Sequence, residues 1–197
     1  MPLDIQNVDP RVLEPQAGSN AVNADDHFVE LYDDDMALMS SVRRFVTVGI
    51  NEGEAAVVVA TPAHREAIER ELGRTIDVTA ARQRGLFESL DAAKTLALFM
   101  RDGTPDPRLF ERVIGDVLAR AGRGGRKVRV FGEMVAVLWA EGNVAAALAL
   151  EDQWNRLGRS RRFRLFCAYP TEAFAEGDTS PLSGVCNRHS HVIVTPR

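Results

Sequence analysis

The stretch "GEAAVVVATPAHREAIERELG", residues 53–73, decides the fold. Its core, "AAVVVAT" (55–61), is a continuous apolar and β-branched run of the kind buried on both faces of a parallel sheet. Pro62 then opens the helical "AHREAIERELG", which Gly73 can stop, and Thr61 stands where a helix N-cap belongs. A buried strand feeding directly into a helix is the unit of an α/β fold.

The same unit repeats on either side. Upstream, "HFVELYDD" (27–34) reads as a strand, and "MALMSSVRRFVTVGI" (36–50) spaces Met36, Met39, Val42, Phe45, Val46 and Ile50 as one helix face. Downstream, "TIDVTA" (75–80) and "LFESLD" (86–91) read as short strands, followed by a helix from Ala92 to about Arg101 that "DGTPDP" breaks. An amphipathic helix over 108–122 leads to the strand "VRVFGE" (128–133). A helix from Met134 ends near "EGN", where Gly142 or Asn143 caps the next, "VAAALALEDQWNRLG". The strands "FRLFCAY" (163–169) and "HVIVT" (191–195) complete the series. Strands alternating with helices predict a three-layer α/β sandwich with a mostly parallel central sheet. Residues 1–25, rich in Pro, Asn, Gly and Asp, read as a flexible leader, and 26–197 as one domain.

Composition narrows the function classes. With 197 residues, 45% hydrophobic and 26% charged, one core of ordinary size is expected. A net charge of −4 and a pI near 5.6 argue against holding nucleic acid through its phosphates, and against an anionic membrane surface. Two cysteines without a signal peptide or an 18-residue apolar run predict a reduced, cytoplasmic setting with buried thiols.

In open parallel sheets the ligand crevice lies at the carboxyl ends of the strands. Tyr32, Asp33, Thr61, Gly132, Glu133, Cys167 and Tyr169 fall at those ends. Glu133 reads either as a carboxylate complementing a helix N-terminus or as a ligand-binding group. Glu151 falls inside an apolar arc, between Ala147 and Trp154 on one side and Val144 and Leu148 on the other, so it must be paired or protonated. Trp139 and Trp154 read as core.

Near the C-terminus, "CNRHSH" packs Cys186, His189 and His191 into six positions. These could ligate zinc or iron, with Cys167 or Glu133 completing a four-ligand set, although the spacing matches no closed zinc finger. His189 and His191 would share one wall if the last strand already begins at 189. The alternative chemistry is a metal-dependent or thiol enzyme using Cys167, Cys186, His189 and His191. Between the first strand and helix stands "YDDDMALMSS", with no glycine and no G-K-[ST], so ATP is not expected by a phosphate-loop route.

Five ordered blocks carry a resemblance: "HFVELYDDDMALMSSVRRFVTVGINEGEAAVVVAT", "GTPDPRLFERVIG", "RVFGEMVAVLWAEGNVAAALALEDQWNRL", "FRLFCAYP" and "CNRHSHV". Together, over residues 27–194, they resemble the MEDS domain, the methanogen and methylotroph sensory domain of prokaryotic signalling proteins. "FVTVGINEGEAAVVVAT" is also similar to the helix and second strand of the RecA/KaiC-like ATPase core, here without its phosphate loop. The resemblance implies no catalysis but a sensory role, with a simple hydrocarbon derivative as ligand. It also implies signalling through a histidine kinase, a transcription regulator or a second copy of the chain. It places His27, Tyr32, Glu54, Glu133, Cys167, Tyr169, Cys186, His189 and His191 in the sensing constellation. A third reading is a ligand-free interaction module, whose strand-end crevice would be filled.

Overall fold

The computed structural model describes residues 26–174 and 180–194. The expected leader, 1–25, lies outside the described residues. A six-stranded sheet, parallel at every pairing, forms the middle layer in the order β3-β2-β6-β7-β1-β8. Its strands are β1 (His27–Tyr32), β2 (Ala55–Ala60), β3 (Phe87–Asp91), β6 (Val128–Gly132), β7 (Arg164–Pro170) and β8 (His191–Val194). Between β3 and β6 lies a two-stranded ribbon of β4 (Met100–Arg101) and β5 (Thr104–Pro105).

Every residue of β2 is buried, because its alternating side chains serve two cores. Ala56, Val58 and Ala60 share a core with α1 (Asp35–Asn51), α2 (Pro62–Leu72) and α3 (Val78–Gln83), which supply Leu38, Val42, Val46, Ile68, Leu72 and Ala81. Val57 and Val59 face the other layer, which holds α4 (Ala92–Ala97), α5 (Pro107–Ala121), α6 (Met134–Ala140), α7 (Val144–Ser160) and the Val185 end of α8 (Ser180–Cys186). Both tryptophans lie in that second core, as expected. Among the described residues no helix is long and apolar enough to cross a membrane.

Helix starts follow the side chains that can cap them. Asp34, Thr61, Asp106 and Asn143 each accept a bond from a backbone N–H in the first turn of the following helix. Gly53 (φ +78) turns the chain from α1 into β2, a left-handed conformation that a β-carbon would strain.

Two local expectations are corrected. Residues 75–80 are not a strand, because the Asp77 carboxylate accepts from the Ala80 amide and starts α3. The helix from Ala92 ends at Ala97, because Asp102 and Gly103, with φ of 48° and 75°, make a tight hairpin that pairs Met100 with Pro105.

Chain direction reverses between β2 and β6. From β2 the chain continues through α2 to the β3 edge, whereas β6, its neighbour, continues through α6 and α7 to β7 on the opposite face. That switch point, at the carboxyl ends of β2 and β6, is where the rule for open parallel sheets places a ligand crevice.

Candidate functional site

The crevice holds three of the sequence-derived residues and one that sequence reasoning missed. Glu133, directly after β6, leaves its own helix uncapped and reaches across to α2, where its carboxylate accepts from the Thr61 amide at 2.9 Å and contacts His64 Nδ1. His64 Nε2 lies 3.5 Å from Asp35. The bond to Glu133 raises the His64 pKa against the lowering effect of burial. Tyr32 is buried beside them at the end of β1, its hydroxyl pKa pushed up by burial and then by Glu133. The polar groups at this end of the sheet are therefore largely satisfied by one another.

A second group forms on the opposite face of the sheet, across β1 and β7. In parallel register Val29 sits beside Cys167, so His27, two residues earlier on β1, points to the same face as Cys167 and Tyr169 on β7. All three meet α7 at Glu151, whose exposure is 0%. Tyr169 donates to Glu151 Oε1 at 2.9 Å, Cys167 Sγ lies 3.7 Å from Oε2, and His27 Nε2 lies 3.3 Å from Oε2 and 3.4 Å from Sγ. His189, in the turn between α8 and β8, brings its Nε2 to 3.5 Å from Oε1. Its ring centroid is 3.9 Å from that of His27.

The backbone locks this group together. Ser190 donates its amide and hydroxyl to the His27 carbonyl, both at 2.8 Å, and its Oγ accepts from the His27 amide at 2.9 Å. The far nitrogens of both imidazoles are anchored: His189 Nδ1 donates to the Val185 carbonyl at 2.7 Å, and His27 Nδ1 meets Asn155 Oδ1 at 3.0 Å. Asn155 lies one helical turn after Glu151 and donates its amide nitrogen to the Arg188 carbonyl at 2.8 Å, which fixes its oxygen toward His27.

The electrostatics follow from burial. Burial pushes His189 down to about 4, so its ring is neutral at neutral pH. Burial, then Glu151, pushes the Cys167 thiol well above its ordinary range. Burial penalises the Glu151 carboxylate, and the Tyr169 hydroxyl, which donates to Oε1, acts against that penalty.

The remaining sequence-derived residues stand apart from both groups. Glu54 forms a buried ion pair with Arg129 Nε at 2.5 Å and lies 3.6 Å from Arg164, at the amino-terminal end of β2, β6 and β7. The last strand begins at His191 rather than His189, so the two histidines diverge. His191 stacks on Phe28 at 4.9 Å and turns away from His189. Cys186 is a half-buried free thiol whose pKa is raised by burial, and Cys167 is also free. The sequence marks Glu151 as paired or protonated without naming its partners. The signal for more was its place in the apolar arc, one turn before Asn155 on the same helix.

A cleft of about 660 Å³ opens on the buried group. His27 and His189 form its inner wall, with Trp154, Phe163 and Leu165 as apolar lining and Asp26, Asp152, Arg156, Arg159 and Arg188 among its polar groups.

No curated protein matches the chain. The sequence profile of the methanogen/methylotroph, DcmR sensory domain matches residues 26–185, which include His27, Glu151 and Cys167. That span is most of the chain, and the chain therefore belongs to the MEDS family of sensory domains.

Proposed function

We propose that this sensory domain binds a small organic molecule, a simple hydrocarbon derivative, in the cleft beside His27 and His189, and signals the occupied state to a protein partner. The observation that carries the reading is the cleft itself, whose volume of about 660 Å³ is that of a small-molecule pocket and whose inner wall is formed by two histidines of a buried polar group. His189 sits in the turn that enters β8, the edge strand of the sheet. A ligand that displaces it would act on β8 through the Ser190–His27 bonds, and so bias an element at the surface. A kinase or transcription regulator reading that edge is the partner class this reading expects.

Two other readings have less support. An activated thiolate needs a lowered pKa, whereas burial raises both Cys167 and Cys186. A ligand-free adaptor fits the strand-end groups, which satisfy one another, but gives no role to the cleft beside His27.

The test is titration calorimetry with methanol, methylamine and dichloromethane as probes, on the full chain and on Gly158→Leu. Gly158 lines the cleft, and a β-carbon there meets nothing within 4 Å, so the variant fills the cleft and leaves the fold intact. The expected result is saturable binding of one probe class, abolished in Gly158→Leu. Binding that is absent for all three probes, or unchanged in the variant, contradicts the reading.

A further inference from the structure

We infer that His27, Glu151, Cys167 and His189 form a binding site for a single divalent transition-metal ion of the zinc class. The inference stands on geometry and does not depend on the organic ligand.

The donor atoms are already gathered. One atom from each residue, the Nε2 nitrogens, Sγ and a Glu151 oxygen, all lie within 4.8 Å of one another. Metal–ligand bonds of ~2.0–2.3 Å at tetrahedral angles separate neighbouring donors by about 3.3–3.7 Å. Here His27 Nε2 lies 3.3 Å from Glu151 Oε2 and 3.4 Å from Cys167 Sγ, Sγ lies 3.7 Å from the same oxygen, and His189 Nε2 lies 3.5 Å from the other carboxylate oxygen, Oε1.

Tautomers supply an independent argument. The Val185 carbonyl can only accept, so His189 carries its proton on Nδ1 and presents a bare lone pair at Nε2. That Nε2 is buried, has no hydrogen-bond partner among the described residues, and points at a carboxylate. The Asn155 oxygen likewise takes the Nδ1 proton of His27 and turns its Nε2 inward. Lone pairs facing a buried carboxylate repel unless a cation lies between them. Imidazoles whose far nitrogens donate to a carbonyl or amide oxygen, beside a carboxylate held by a tyrosine hydroxyl, form the outer shell that orients metal ligands.

The donor set selects the ion class. One sulfur and two imidazoles disfavour calcium and magnesium, which take oxygen ligands, and suit a borderline ion in a four-coordinate site. The cleft borders His27, the least enclosed of the four donors, which is the side from which an ion would enter.

The test is titration of chelator-treated full-length chain with cobalt(II), read by the visible bands of tetrahedral cobalt and the near-ultraviolet thiolate charge-transfer band, with zinc as competitor. One ion per chain is expected, with both bands present. Cys167→Ser should lose the charge-transfer band, and Asn155→Ala should weaken affinity about 10–100-fold while keeping one ion per chain. Cys186→Ser and His191→Ala, which lie outside the donor set, should bind as the parent does. Failure of the folded parent chain to bind one ion would overturn the inference. Loss of the charge-transfer band in Cys186→Ser with its retention in Cys167→Ser would do the same.

Discussion

The two polar groups of this domain differ in what they lack. At the strand-end crevice Glu133 has the Thr61 amide and His64, and His64 has Glu133 and Asp35, so the charges find partners within the protein. Behind β1 and β7, a fully buried carboxylate faces two imidazole nitrogens, one of them without a donor or acceptor. The fold rule selects the first place and the accounting of lone pairs selects the second. A site is marked here by incomplete satisfaction rather than by position in the sheet.

The sharpest way to break the comparison is to remove the carboxylate from each group. Glu151→Ala leaves the buried Tyr169 hydroxyl without its acceptor and opens a cavity, and should cost ~2–5 kcal/mol in urea unfolding of chelator-treated protein. A cost below about 1 kcal/mol would show that Glu151 is not the hub of the group. Next in size is the ion itself. Zinc at about 100 times its dissociation constant should stabilise the chain by ~2.7 kcal/mol, raising its melting midpoint by several degrees. Glu151→Ala should abolish that rise and His64→Ala should leave it unchanged. A rise that survives in Glu151→Ala would place the ion elsewhere.

A smaller effect distinguishes the crevice by pH. The folded pKa of His64 is raised above its ordinary value of 6.5, so its bond to Glu133 contributes full stability below pH 6.5 and loses it as pH climbs through the folded value. The parent should therefore lose on the order of 1 kcal/mol relative to His64→Ala across that window, measured by urea unfolding at several pH values. Parallel pH profiles would show that the bond has no weight. Smallest of all, Cys186→Ser should stay within about 0.5 kcal/mol of the parent, because the thiol is half-buried and outside both groups.

Sequence alone carried the fold further than the site. "AAVVVAT" followed by Pro62 announces a strand buried on both faces and a helix start, and the structure has both. Thr75, Ile76 and Val78 suggested a strand by β-branching, but the Asp77 cap, a local hydrogen bond, overrode that propensity. Glu151 was legible as a buried carboxylate from its place on the helical wheel. Its partners were not, because they come from the first strand, the fifth strand of the main sheet and the final turn, which only the parallel register brings together. The pairing of His189 with His191 failed by the smallest margin. The last strand begins two residues later than that pairing required, and the histidines part to opposite surroundings.

The most direct test of the central claim is X-ray absorption spectroscopy at the zinc edge on the zinc-loaded chain. The account predicts one sulfur at ~2.3 Å and three nitrogen or oxygen ligands at ~2.0–2.2 Å. A shell with no sulfur, or with two, would contradict the assignment of His27, Glu151, Cys167 and His189 as the ligand set.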